Sequence, residues 1–185
     1  MRDIRSSKIV ALAAAALSLV LAATVGAQTP PGTNPRLSLS IGSGAPEAET
    51  ELTLKLASVP GVAIGRLDVE VTFPAEALRF DRVAGYLVTE GLLEVDSRLG
   101  DPVFGSRTLF LTLQSAKTGG LVPGDMQVDL LFTVAKETKP GVLDVSLKGT
   151  VLGPDGQPIE PVDLYGGRIN IQEAEVFYAC FFYMH

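Results

Sequence analysis

The residues in this sequence that could do chemistry are carboxylates, and none has the company that would make it reactive. Glu94 and Asp96 stand two apart, the spacing that puts two carboxyls on one side of a strand. Paired carboxyls run glycoside hydrolysis. Alternate residues of every strand face the same way, however, so this pair needs no catalytic role. Asp155-Gly156 hints at a calcium loop, but Pro154 and Gln157 beside it add no carboxylate and the Asp-x-Asp-x-Asp-Gly pattern is missing. A plain hairpin turn is expected there. Gly119-Gly120 has no following Lys-Ser/Thr and makes no phosphate loop. There is no Gly-x-Ser-x-Gly elbow for a serine nucleophile. The one histidine is the last residue, His185, and the one cysteine is Cys180. No internal disulfide, no metal site built on His or Cys, and no His-dependent triad can follow from these. A sugar-stacking platform is poorly supplied too: there is no tryptophan, and Tyr86, Phe104 and Tyr165 fall in unrelated loops. We therefore expect no enzyme, no catalytic residue, no metal and no cofactor.

The rest of the sequence builds strands. Helical periodicity is almost absent, and alternation with a period of two dominates. Arg66 to Phe73 is the cleanest case: Leu67, Val69, Val71 and Phe73 point one way, and Arg66, Asp68, Glu70 and Thr72 the other. That pattern places one face on a core and one in water. Further strands are expected at Leu37–Ile41, Glu51–Leu56, Leu78–Val83, Leu92–Arg98, Thr108–Gln114, Met126–Val134, Val142–Leu152 and Arg168–Ile171. Gly119-Gly120, Pro123-Gly124-Asp125, Pro140-Gly141 and Pro154-Asp155-Gly156 supply turns between them. Many short strands with regular Gly/Pro punctuation predict an all-β sandwich or jelly roll.

The flanks differ in kind. Residues 1–27 read as a signal peptide, with Arg2, Arg5 and Lys8 basic, Ile9 to Ala23 apolar, and Val25-Gly26-Ala27 a site that a signal peptidase accepts. The apolar run is about 15 residues, short of the ~20 a spanning helix needs. We expect cleavage before Gln28, no transmembrane span thereafter, and a secreted, periplasmic or cell-envelope location. Residues 28–35 hold three prolines and read as a linker, and residues 36–172 as the domain. Residues 173–185 form an apolar, aromatic tail of unassigned role. The formal net charge is −6, and loss of the basic leader makes the remainder more acidic. Phosphate backbones and anionic lipid are therefore poor partners, and no nucleic acid is expected.

Three stretches, taken in order and spacing, give the chain a resemblance. Arg66 to Phe73 ends in an aromatic, Pro74-Ala75-Glu76 turns, and Leu78 opens the next strand. Leu131 to Lys136 precedes Pro140-Gly141, and Gly166-Gly167-Arg168-Ile169-Asn170-Ile171 closes the pattern. Across about residues 36–172 the sequence resembles the cohesin domain, a nine-stranded jelly-roll β-sandwich related in fold to some carbohydrate-binding modules. Pro74-Ala75-Glu76 replaces the Asp-Pro turn of that family.

The resemblance implies a non-catalytic module that binds a protein partner. In cohesins the partner is a dockerin, the calcium-loaded module of polysaccharide-degrading enzymes. The family's contact face is the outer surface of its strands three, five, six and eight. By position, the implied partner-binding residues are Arg66, Asp68, Glu70, Glu94, Asp96, Thr108, Phe110 and Thr112. Asp68 matches an Asp that hydrogen-bonds dockerin in many cohesins, whereas Arg66 replaces what is often a small polar residue such as Asn. Phe110 among carboxylates suits an interface anchor with a polar rim. Two other readings stay open from the residues: direct polysaccharide binding on the same broad fold, and a structural or adhesive surface subunit assembling through sheet edges.

Overall fold

In the computed structural model, which describes residues 32–173, the alternation of Arg66–Pro74 becomes the central strand of a sandwich. The strands are β1 (Arg36–Leu39), β2 (Ile41–Gly44), β3 (Glu49–Ala57), β4 (Arg66–Pro74), β5 (Leu78–Ala84), β6 (Leu93–Leu99), β7 (Ser106–Ser115), β8 (Gln127–Val134), β9 (Gly141–Leu152), β10 (Asp163–Tyr165) and β11 (Gly167–Ile171). A single-turn helix, α1 (Tyr86–Thr89), lies between β5 and β6. One sheet has the order β10-β1-β3-β8-β5, the other β2-β11-β9-β4-β7-β6. This is the expected jelly-roll sandwich, with eleven strands among the described residues rather than nine. The expected leader and most of the C-terminal tail lie outside the described residues.

The two additional strands come from one device. Leu37–Ile41 was expected as a single strand, but the chain changes sheets at Ser40. Ser40 Oγ accepts the Thr53 N–H at 2.8 Å, a bond that a continuing strand would take with its carbonyl. β1 therefore pairs with β3 in one sheet, and β2 pairs with β11 in the other. The last two described strands make the same crossing: β10 runs parallel to β1, and β11 runs parallel to β2. Gly166 and Gly167 occupy that crossing because nothing larger fits. A Cβ on Gly166 would sit 2.7 Å from the Val145 carbonyl, and one on Gly167 would sit 2.6 Å from the Ser40 carbonyl.

The core fills from the inward alternates of both sheets. Leu67, Val69, Val71 and Phe73 of β4 are buried, as are Leu109, Leu111 and Leu113 of β7 and Leu52, Leu54 and Leu56 of β3. Phe73 meets Phe132 of β8 edge-on at 5.1 Å, and Phe132 meets Phe80 of β5 at 5.7 Å, so three rings bridge the sheets. Among the described residues the one buried polar side chain, Thr50, donates to the Ser43 carbonyl at 2.9 Å and ties β3 to β2 across the layers. Among the described residues every buried side-chain nitrogen or oxygen has a partner. None of the described helices is long and apolar enough to cross a membrane.

Candidate functional site

The outward alternates of the six-stranded sheet share one surface. β4 lies between β9 and β7, and β6 lies beyond β7. Register aligns their side chains in rows across the strands. One row runs Arg98, Phe110, Glu70, Lys148; the next runs Asp96, Thr112, Asp68, Thr150; a third runs Glu94, Gln114, Arg66, Leu152. All eight sequence-predicted positions therefore fall on one sheet: Arg66, Asp68 and Glu70 on β4, Glu94 and Asp96 on β6, and Thr108, Phe110 and Thr112 on β7.

Local contacts set the state in which each is presented. Asp68 Oδ1 accepts from Arg66 Nε at 2.8 Å and from Thr112 Oγ1 at 2.9 Å. Both partners are strand neighbours, so the carboxylate is held in place before anything binds. The Arg66–Asp68 ion pair is exposed enough that its own contribution to stability is small. Gln114 Nε2 donates to Glu94 Oε2 at 3.0 Å. The hydroxyls of Thr72 and Thr108 bond each other at 2.9 Å and close the face toward the Pro74 end. Phe110 is half-buried: the Arg98 guanidinium lies 4.7 Å above the ring centroid, and Gly100 packs against its edge. A cation over an aromatic face is attracted by the ring quadrupole, so Arg98 and Phe110 act as one unit.

Five members of these rows lie outside the sequence-predicted set: Arg98, Gln114, Lys148, Thr150 and Leu152. Arg98 was read as the end of a strand, and the register that places it over Phe110 depends on pairing with β7. Gln114 was seen as a strand end too. Lys148 and Thr150 of β9 were not singled out, though their alternation with Leu147 and Val151 carried the signal. Glu70, Lys148, Thr150, Phe110, Asp68 and Leu164 line a shallow depression of about 450 Å³. A broader cleft of about 610 Å³ lies at the opposite end, among Arg66, Glu94, Gln114, Lys117 and the glycine turns at 119–120 and 153–156. Both are open to solvent, unlike the enclosed apolar pockets that hold small molecules.

The three aromatics considered for sugar stacking stand on separate elements. Tyr86 opens α1, Tyr165 lies in β10 beneath Arg36, and Phe104 is on the β6–β7 connection. Two of the three are therefore not in loops, and they form no shared platform. Asp155 serves its own turn, accepting the Gln157 N–H at 3.1 Å. Among the described residues no three His, Cys, Asp or Glu side chains gather as metal ligands. On the other sheet, Thr133 donates to Asp81 at 2.6 Å, and Arg79 pairs with the same carboxylate at 3.0 Å. The Thr133 hydrogen bond and the neighbouring Arg79 and Arg82 charges hold the Asp81 carboxyl below the ordinary aspartate value, outweighing partial burial.

This architecture is that of the cohesin domain. The sixth cohesin from scaffoldin B of Acetivibrio cellulolyticus, solved in complex with a Cel5 dockerin, matches with a TM-score of 0.59 at 18% identity, over 76% of this chain and 100% of that one. A type I cohesin of OlpA from Clostridium thermocellum, in complex with a dockerin, matches at 0.57 and 16% identity, over 75% and 99%. A non-cellulosomal cohesin from the hyperthermophilic archaeon Archaeoglobus fulgidus matches at 0.50 and 14% identity, over 75% and 91%. No protein-family model matches the sequence, and no curated protein matches it. At these identities the likeness establishes a cohesin-like fold.

Proposed function

We propose that this chain is an exported, non-catalytic module that binds a protein partner of the dockerin type through the outer face of β9, β4, β7 and β6. The observation that carries the reading is the row Arg98, Phe110, Glu70, Lys148 at the middle of that face. A half-buried aromatic gripped by an arginine, with an acid and a base beside it, is the composition of an interface centre. Asp68 is already ordered by Arg66 and Thr112, which lowers the entropy lost when a partner docks. Two of the matched cohesins were solved with dockerins, which supports the class of partner. The leader at residues 1–27 supports export to the envelope or beyond, and a link to polysaccharide breakdown would come through the partner.

The test is a capture experiment with the purified protein on secreted and envelope fractions of the host. A bait carrying Asp68→Lys and Phe110→Ala serves as the control. Retention of one defined protein by the wild type and its loss with the double variant is the expected result. Equal capture by both baits would overturn the assignment of this face. Mass spectrometry of the exported product should find Gln28 at its N-terminus.

A further inference from the structure

From the structure we infer that the β6–β7 hairpin tip, with Phe104 at its apex, is a second anchor for the partner that docks on the sheet face. This rests on the protein-binding reading of that face. Phe104 is fully exposed, at 103% of its reference area, and its neighbour Val103 is 60% exposed. No part of the fold uses that ring. The backbone also argues against an incidental residue. Val103 and Ser106 exchange both hydrogen bonds, at 2.8 and 3.0 Å, leaving Phe104 and Gly105 as a two-residue turn. Their φ angles are 48° and 76°. Two positive φ values define the turn in which Asn-Gly is the favoured pair, and a bulky residue at the first position is an outlier. Here an aromatic stands where Asn would suit the chain better.

The tip is also held rigidly. Gly100 N–H donates to the Thr108 carbonyl at 2.8 Å, Arg107 Nε to the Gly100 carbonyl at 3.1 Å, and Ala75 N–H to the Gly105 carbonyl at 2.9 Å. The last bond straps the hairpin to the turn after β4. A rigid mount loses little freedom on binding, which makes an exposed aromatic an efficient contact. The hairpin joins the two strands that carry Asp96, Arg98, Phe110 and Thr112, and Gly100 at its base packs on the Phe110 ring. Tip and face are thus linked through the same two strands. The occupant that fits is the same dockerin-type protein, offering an aliphatic socket at the margin of its polar contact area.

The experiment titrates the purified full chain against a panel of calcium-loaded dockerins, including those of the Acetivibrio cellulolyticus and Clostridium thermocellum complexes, by calorimetry. Phe104→Asn keeps the turn and removes the ring. It should weaken binding about 30-fold, as loss of a hot-spot aromatic does. The same variant should melt unchanged or about 1–4 °C higher, because Asn suits the left-handed turn. A ring retained against stability and needed for binding is the signature of an anchor. Unchanged affinity for Phe104→Asn, with loss for Asp68→Lys and Phe110→Ala, would overturn the tip and leave the face standing. Binding by no dockerin, or binding indifferent to Asp68→Lys and Phe110→Ala, would remove the reading of the face and the tip with it. A Tm lowered by several degrees would make Phe104 a structural residue and overturn the inference. Phe104-dependent self-association in sedimentation, or Phe104-dependent binding to phosphatidylcholine vesicles, would reassign the tip to a second copy or to lipid.

Discussion

Replacing Gly167 by alanine tests whether the sheet crossing depends on close backbone approach. The added Cβ would stand 2.6 Å from the Ser40 carbonyl oxygen and 2.7 Å from Leu39 Cβ. Neither neighbour is the free end of a flexible side chain, so relief requires β11 to move away from the β1–β2 junction by about half an ångström or more. Overpacking of this kind costs about 2–3 kcal/mol. For a domain of this size that is a fall in Tm of roughly 6–12 °C. The assay is thermal unfolding followed by circular dichroism, with urea unfolding as a second measure. Gly119→Ala is the reference: its φ is +69° and a Cβ there would meet nothing within 4 Å, so it carries backbone strain of about 1 kcal/mol without a clash. Gly167→Ala should fall well below Gly119→Ala, with an unchanged urea m-value. If the two variants melt together, the crossing has more room than the geometry allows and the reasoning fails.

Phe132→Ala removes the middle ring of the sheet-bridging trio and should cost about 3–5 kcal/mol, read by urea unfolding; a loss under 1 kcal/mol would show that Phe73 and Phe80 close the gap. Thr133→Val deletes the principal cause of the lowered Asp81 pKa, so carbon-detected NMR titration should find the Asp81 midpoint raised; an unmoved midpoint would assign the shift to Arg79 and Arg82 instead. Because the folded-state value is the lower one, Asp81 contributes stability that is present above the ordinary value of 3.8 and is lost as pH falls through the folded value. Asp81→Asn should therefore flatten the acid limb of a Tm–pH profile, while the profile near neutrality keeps its shape. Arg66→Ala should change Tm by only a degree or two, since the ion pair with Asp68 is exposed; a fall beyond 5 °C would mean the pair supports the sheet itself.

Much of this molecule was legible because its strands are amphipathic in strict alternation. Arg66 to Phe73 predicted both its faces, and the inward set is buried as the pattern requires. Gly166-Gly167 was visible as a closing signal, though the reason for two glycines appears only in the fold, where Val145 crowds the first and Ser40 the second. The break at Ser40 left no trace, since Leu-Ser-Leu-Ser-Ile alternates through it; a side chain taking over a backbone bond is a tertiary event. β10 was hidden for a similar reason: Asp163-Leu164-Tyr165 is too short to show a period, and its parallel partner is β1. On the candidate face, alternation along single strands shows which residues point outward, Lys148 and Thr150 included, whereas which of them stand side by side depends on cross-strand register. Arg98 belongs to the face because it meets Phe110, and Lys148 because it stands beside Glu70.

The crossing at Ser40 also has a temporal meaning. In its sheet β2 has one neighbour, β11, which is the last strand among the described residues. Ile41 emerges from the ribosome early and must wait for Arg168 before its backbone finds a partner. At 5–20 residues per second that interval is on the order of ten seconds or more. Until then the N-terminal strands present open edges, and the loop that must close spans nearly the whole domain, a topology that folds slowly. A chain interrupted between Leu152 and Gly167 leaves β2 unpaired and the β9 edge bare, so such incomplete products should be conspicuous to proteases. The same seam that completes the sandwich thus ties the first strands of the domain to the arrival of β11.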